Sequence, residues 1–321
     1  MLAIAPLPHY EPTAESRNAM KLKNRHNEEM IELLFTCEDR LTREEADEMI
    51  RRGEELIPLL GEIIIDRAFW TVDLPEWWAP VHATYILASI GGKSSVIPLM
   101  AALRWSDAYD NEWVTEDLPS ILGSLGEISF TPVKSVVADK SAGWSARSIA
   151  MDALGSHALL NPTCEEECMK ILAQIVDDPR EEFGARRSAA FVLVDFRRSD
   201  YKRALIGFSQ AEENYAKADP NYKRTFTIRD LEKDLSAARS GLEMYTRDWM
   251  EFYSPEQIHK RKELWEKSDR GETQLFGDIP DKHGQQKWRT LGGRSVIMDL
   301  NGPCPCGSGR PYKRCCWKKV H

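Results

Sequence analysis

Four stretches in the middle of the chain repeat one pattern. A helix of apolar and small residues runs to a Gly or a short polar break, and a second amphipathic run follows. Val81–Gly91 reads VHATYILASIG, Leu118–Gly126 reads LPSILGSLG, Ser148–Gly155 reads SIAMDALG and Ser188–Phe196 reads SAAFVLVDF. Aligned at Gly91, Gly126, Gly155 and Arg197, they stand 35, 29 and 42 residues apart. The second runs are Val96–Trp105, Pro132–Val137, Cys168–Val176 and Tyr201–Phe208. Small residues on the first helix let the second approach closely, and a terminal Gly ends the first helix by accepting a left-handed backbone. One such pair cannot bury its apolar side alone, so neighbouring pairs must stack. The pattern predicts an all-α fold, an α–α superhelix; a non-repetitive helical domain in which Ala-Leu-Gly recurs by chance is the alternative.

An earlier segment, Leu56-Ile57-Pro58-Leu59-Leu60, echoes Val96-Ile97-Pro98-Leu99-Met100, and Thr131-Pro132-Val133 echoes both more weakly. Proline is expected in a first helical turn, where its missing N–H would be unpaired anyway. The pattern resembles HEAT-like repeats over residues 45–210, with 1–44 as an N-terminal helical cap. A solenoid of this kind offers an elongated groove for a partner.

Residues 211–268 read as a helical extension, with Ile228 to Trp249 as its longest helix. Ser254-Pro255-Glu256-Gln257 spells a helix start, with Ser254 as cap, Pro255 in the first turn and Gln257 closing a capping box. That helix is expected to run to about Ser268 and to pack Ile258, Leu264 and Trp265 on the body. From 269 to 302 the apolar period fades, and the segment reads as a linker with little fixed structure.

The last residues carry the clearest chemistry. Cys304-Pro305-Cys306 and Cys315-Cys316 place four of the seven cysteines within thirteen residues. Gly307-Ser308-Gly309 supplies a turn between the two pairs. Four thiolates around one ion suit a closed, structural Zn²⁺ site, one per chain. So short a segment cannot bury enough apolar surface to fold alone, and bound metal supplies that free energy. Lys313, Arg314, Lys318 and Lys319 flank the thiols and offset their charge.

This stretch resembles the SEC-C motif, found at the C-terminus of the bacterial translocation ATPase SecA and in smaller bacterial proteins. The match rests on Pro303 to Gly309 and on Tyr312-Lys313-Arg314-Cys315-Cys316, so the motif occupies 303–321. The resemblance implies zinc ligation by Cys304, Cys306, Cys315 and Cys316. In SecA the motif contacts an export chaperone and the ribosome. A protein or ribosome contact is therefore implied here, through Tyr312, Lys313 and Arg314. Pro311, where Lys is common, and Trp317 after the last ligand depart from the motif and leave the partner open. The chain has no G-x-x-x-x-G-K-[ST] phosphate loop and is not SecA.

Net charge is −8. Residues 301–321 hold five basic residues and no acidic one, so residues 1–300 carry −13. Broad phosphate-backbone binding by so acidic a body is disfavoured, whereas the basic tail suits acidic protein or RNA. The apolar start at Met1–Pro8 is too short and lacks the basic residues of a secretory signal, and no stretch reaches membrane-span length. An odd number of cysteines with metal-ligand spacing suits a reducing, cytoplasmic setting.

Cys164 and Cys168, at i and i+4, have geometry a second metal could use, but read first as small residues of a repeat helix. Cys37 and His82 read as core. Asp107, Asp110, Asn111 and Glu112 read as a solvated loop between repeats. Trp77-Trp78 reads as core, or as the wall of a peptide groove. Arg186-Arg187 and Arg197-Arg198 read as a salt-bridged surface beside Glu181 and Glu182. No residue is named as catalytic. The favoured function is a zinc-binding interaction protein, its tail on protein or ribosome and its groove on a second partner. RNA binding through the tail and an enzyme with its site in the helical body are the alternatives.

Overall fold

The computed structural model describes residues 22–72, 74–218, 222 and 224–270, with short strands at Ile279–Pro280, Gln286–Arg289 and Ser295–Val296. The described body is all-α. Its first three helices are α1 (Asn27–Thr36), α2 (Arg43–Arg52) and α3 (Ile57–Ile65). Thr42 starts α2 with a full capping box. Its hydroxyl accepts from Glu45 N at 3.3 Å, and the Glu45 carboxylate accepts from Thr42 N at 2.9 Å. Glu44 and Glu45 in the first turn and Arg51 and Arg52 in the last match the helix dipole.

Four helix pairs follow: α4 (Ala79–Ile90) with α5 (Lys93–Ala108), α6 (Glu112–Ser124) with α7 (Glu127–Ala138), α8 (Gly143–Leu160) with α9 (Glu165–Asp177), and α10 (Phe183–Asp195) with α11 (Lys202–Ala218). The first helices stack in the order α4, α6, α8, α10, and one apolar core runs through all the pairs. Each pair matches one sequence repeat. Gly91 and Gly126 close their turns with positive φ, +71° and +62°, as the repeat requires.

Gly155 behaves otherwise. It lies inside α8, not at a helix end. A methyl group there would stand 2.6 Å from the Tyr245 ring, so the position is bare to let that ring pass. Pro98 and Pro132 also depart from expectation. Both sit within their helices, beyond the first turn, and Pro98 packs on Gly61 of α3. The glycine opposite offers no side chain, so the ring fits between the two helices.

The extension differs most from the sequence pattern. The expected helix from Ile228 to Trp249 is confined to α12 (Ile228–Ser236). Beyond it, Gly241 takes a left-handed conformation, φ +75°, and the chain continues through two 3₁₀ turns, Leu242–Tyr245 and Trp249–Tyr253. Helix α13 (Pro255–Asp269) then begins as foreseen, with Ser254 Oγ accepting from Gln257 N at 3.2 Å. The capping box is half formed, because the Gln257 amide turns instead to Glu251 Oε1 at 3.1 Å.

The buried face of α13 also differs. Arg261 is buried while Leu264 is exposed. The Arg261 guanidinium lies 3.8 Å from the Phe252 ring centre and donates to the carbonyls of Asp39 and Phe252, each at 2.8 Å. A charge with an aromatic face and two carbonyl acceptors tolerates burial.

In the segment read as a linker, the three strands pair antiparallel. Ile279 is the register partner of Lys287, and Trp288 of Val296. Ile279, Trp288 and Val296 have high strand preference, but their neighbours do not, so the strand signal in the sequence is weak.

Candidate functional site

The first helices of the four pairs, α4, α6, α8 and α10, together present one face of the array. Residues 237–253, the return segment, run along it in the reverse order of the helices. At α10, Arg239 Nε donates to Phe196 O at 3.0 Å, and its Nη2 pairs with Glu165 at 2.6 Å. At α8, Ser156 Oγ donates to Tyr245 O at 2.7 Å. At α6, Ser120 Oγ donates to Met244 O at 3.3 Å and accepts from Arg247 N at 2.8 Å. At α4, Trp249 Nε1 donates to Ser89 Oγ at 3.0 Å. Ser156 on α8 and Ser120 on α6 thus satisfy main-chain groups of an irregular segment, and Ser89 on α4 meets the Trp249 indole.

The segment ends in an aromatic cluster. The Phe252 ring lies 5.5 Å from both Tyr85 and Trp113 and 6.0 Å from Trp78, so Trp78 is core and Trp77 meets its edge. His82 is fully buried. Its Nε2 lies 2.6 Å from Glu38 O, an acceptor only, so Nε2 carries the proton and Nδ1 accepts from Tyr253 O–H at 3.1 Å. Burial pushes the His82 pKa down to about 4 and does the same to His157. Both histidines are neutral structural residues near neutral pH. The chain therefore lays its own residues along these four helices.

Carboxylates collect beneath this segment. Asp117 accepts from Tyr85 O–H at 2.6 Å, and Asp195 from Tyr245 O–H at 2.8 Å. Burial raises the pKa of both. Asp152, on α8, is raised to about 7 by burial and then by the charge of Asp195. Its folded pKa lies above the unfolded value, so the unfolded chain releases this proton first as pH rises. Stability is therefore lost between about pH 4 and pH 7. Asp152→Asn should gain about 2–4 kcal/mol above pH 7, with the advantage vanishing near pH 4. Thermal melts of both proteins across this range check it; equal melting at pH 8 contradicts it.

The remaining candidates are placed as follows. Asp107 accepts from Ser145 Oγ at 2.5 Å, and Asn111 caps α6 through Val114 N at 3.2 Å, so these two belong to the repeat junction. Arg198 pairs with Glu166 at 2.7 Å, Glu181 pairs with Arg147 at 2.9 Å, and Arg186 Nε donates to Val176 O at 3.0 Å. Arg197 Nη1 donates to Val194 O at 2.7 Å. Cys37 is half-buried, and Cys164 and Cys168 are free thiols. A cleft of about 450 Å³ opens between α6 and the return segment, lined by Trp113, Asp117, Arg247, Trp249 and Arg261 among others. Among the described residues, no three His, Cys, Asp or Glu side chains converge as a metal ion would need. No helix among them is long and apolar enough to cross a membrane.

The four tail thiols, Cys304, Cys306, Cys315 and Cys316, lie outside the described residues, as do Tyr312, Lys313 and Arg314. As a donor set they are four soft sulfurs in two close pairs, the set a tetrahedral zinc takes. Residues 301–318 match the family model of the SEC-C motif. The chain carries a SEC-C motif. This motif is often linked with zinc binding. The UPF0225 protein SG1365 of Sodalis glossinidius (strain morsitans) is 48% identical over 31 residues. That match covers 10% of this chain and 20% of the relative, so it speaks for the shared segment only. No solved structure matches the chain.

Proposed function

We propose that this SEC-C protein is an interaction protein whose helical body presents a zinc-organised tail to a protein or ribosomal partner. Cys304, Cys306, Cys315 and Cys316 hold one Zn²⁺, and Tyr312, Lys313 and Arg314 form the contact face beside it. The observation that carries this reading is the filled inner face of the body. With residues 237–253 lying where a groove would bind, recruitment falls to the tail. The tail's charge supports it. Four thiolates with one Zn²⁺ leave about +3 on residues 301–321, opposite in sign to the body, which favours an acidic surface.

Purified protein should carry close to one zinc per chain, and Cys315→Ser/Cys316→Ser should lose it. The same double variant, used as bait beside the intact protein in its native cell, should lose co-purifying partners and keep its helical circular dichroism. Less than half an ion per chain contradicts the zinc site. Equal partner recovery with the metal lost contradicts the recruiting role. Salt-sensitive RNA binding that fails when Lys313, Arg314, Lys318 and Lys319 become Glu would move the function to RNA.

A further inference from the structure

Cys164 and Cys168 take no part in the tail or in the return segment. Cys164 closes the 3₁₀ turn Pro162–Cys164 and directly precedes α9, and Cys168 lies one turn further on. Their sulfurs are 3.9 Å apart, with the Cys168 S–H directed at Cys164. Cys164 in turn faces the carbonyls of Asn161 at 3.1 Å and His157 at 3.4 Å. Exposure divides the pair, since Cys168 is fully buried and Cys164 is half-buried.

The Cα spacing permits closure of this pair once the turn tightens. Cβ atoms of residues four apart on a helix stand about 5–6 Å apart, whereas a disulfide needs about 3.5–4.5 Å. Residues four apart on a helix have Cα atoms about 6 Å apart. A disulfide accepts Cα separations of about 4.4–6.8 Å. Each sulfur would move about 1 Å to reach the bonding distance of roughly 2 Å. The first N–H groups of a helix have no intrahelical acceptor, so the turn at Cys164 can adjust without breaking the ladder of α9.

We propose that Cys164 and Cys168 form a redox-closable dithiol, with Cys164 the thiol that meets a small-molecule disulfide and Cys168 the resolving thiol. Cys164, as thiolate, attacks one sulfur of the small disulfide. That S–S bond breaks, one small thiolate leaves and takes up a proton, and a mixed disulfide remains on Cys164. Cys168 then loses its proton to water at the half-exposed edge of the pair and attacks the Cys164 sulfur. The second small thiol departs. Two protein thiols are oxidised to one disulfide, and one small disulfide is reduced to two thiols. Burial, and then the neighbouring Cys164, hold the Cys168 thiol above its usual pKa, which fits its acting second. Closure would tighten the turn that carries Glu165, the partner of Arg239 at the start of the return segment.

The test uses the full chain treated with oxidised glutathione, quenched with an alkylating reagent and digested with trypsin. Cys164 and Cys168 fall together on peptide 148–170, which holds no other cysteine, and Cys37, half-buried like Cys164, falls on 26–40 as a lone-thiol control. The expected product is peptide 148–170 lighter by two hydrogens, carrying no alkyl group, and restored by dithiothreitol. Cys168→Ala, checked for unchanged circular dichroism, should instead trap one glutathione on Cys164. Three results overturn the proposal: a doubly alkylated 148–170 peptide while Cys37 is modified, a mixed disulfide that persists in the unmodified chain, or closure only in denaturant.

Discussion

Truncation after Ser236 is expected to cost the protein its fold, not merely its tail. The cut removes Tyr245, Met250, Phe252 and Tyr253, all buried in the body. Burial of each such side chain is worth about 1.5–3 kcal/mol, so roughly 6–12 kcal/mol of gross stabilisation goes with them. That is comparable to the total stability of an ordinary domain, about 5–15 kcal/mol. The loss is larger still in kind, because the partners stay behind. His82 would keep a bond to Glu38 O and lose Tyr253, and the Asp39 carboxylate would lose both Arg261 and Trp265. Buried polar groups without partners are costly. Thermal melts followed by circular dichroism should show a broad, early transition or none. A second truncation after Gly302, which spares the return segment, should melt like the intact chain. Cooperative melting of the shorter fragment at an unchanged temperature would mean that residues 237–270 are dispensable to the core.

Gly123→Ala is expected to be strongly destabilising. A methyl group at Gly123 would stand 2.3 Å from Ser156 Cβ, 3.0 Å from the Ser156 carbonyl carbon and 3.2 Å from His157 N. Two of the three obstacles are main chain, so the neighbour cannot swing aside and α6 and α8 must part. Overpacking of this kind costs about 3 kcal/mol, roughly 6–12 °C in Tm for a domain of this size. Gly207→Ala, on α11, is the control. No atom lies within 4 Å of the added methyl group, and the change should be neutral or stabilising by up to about 1 kcal/mol. Comparable melting of the two variants would show that α6 and α8 do not meet as closely as described.

The helix pairs were legible because burial against a neighbour writes itself into sequence as a 3.6-residue period. The pattern of small residues located α4 to α11 in sequence order. It misled at Gly155, because a glycine bared for a passing ring looks the same as one that ends a helix. The return segment was illegible for a related reason. Its buried residues lie on an irregular path, so Tyr245, Met250, Phe252 and Tyr253 follow no period. The available signal was their density in a non-periodic stretch between Gly241 and Ser254-Pro255, since so many aromatic residues are seldom left in water. Arg261 escaped notice because a charged residue is assigned to solvent unless its acceptors are known. Here those acceptors lie 222 residues away at Asp39 and nine away at Phe252. The tail stood at the other extreme. Its cysteine spacing is local in sequence, so Cys304, Cys306, Cys315 and Cys316 can be proposed as metal ligands without any knowledge of the body.

The return path over α10, α8, α6 and α4 also fixes how many helix pairs the body can hold. In an open solenoid a pair can be duplicated or deleted, because each unit touches only its neighbours. In this chain an extra pair would push the two ends of the path apart by about 8–10 Å, the usual distance between packed helices. Residues 237–253 would need about three more extended residues to span it, inserted in register with the serines and aromatic side chains they meet. Repeat number and segment length can change only together, so the return segment acts as a ruler for the array.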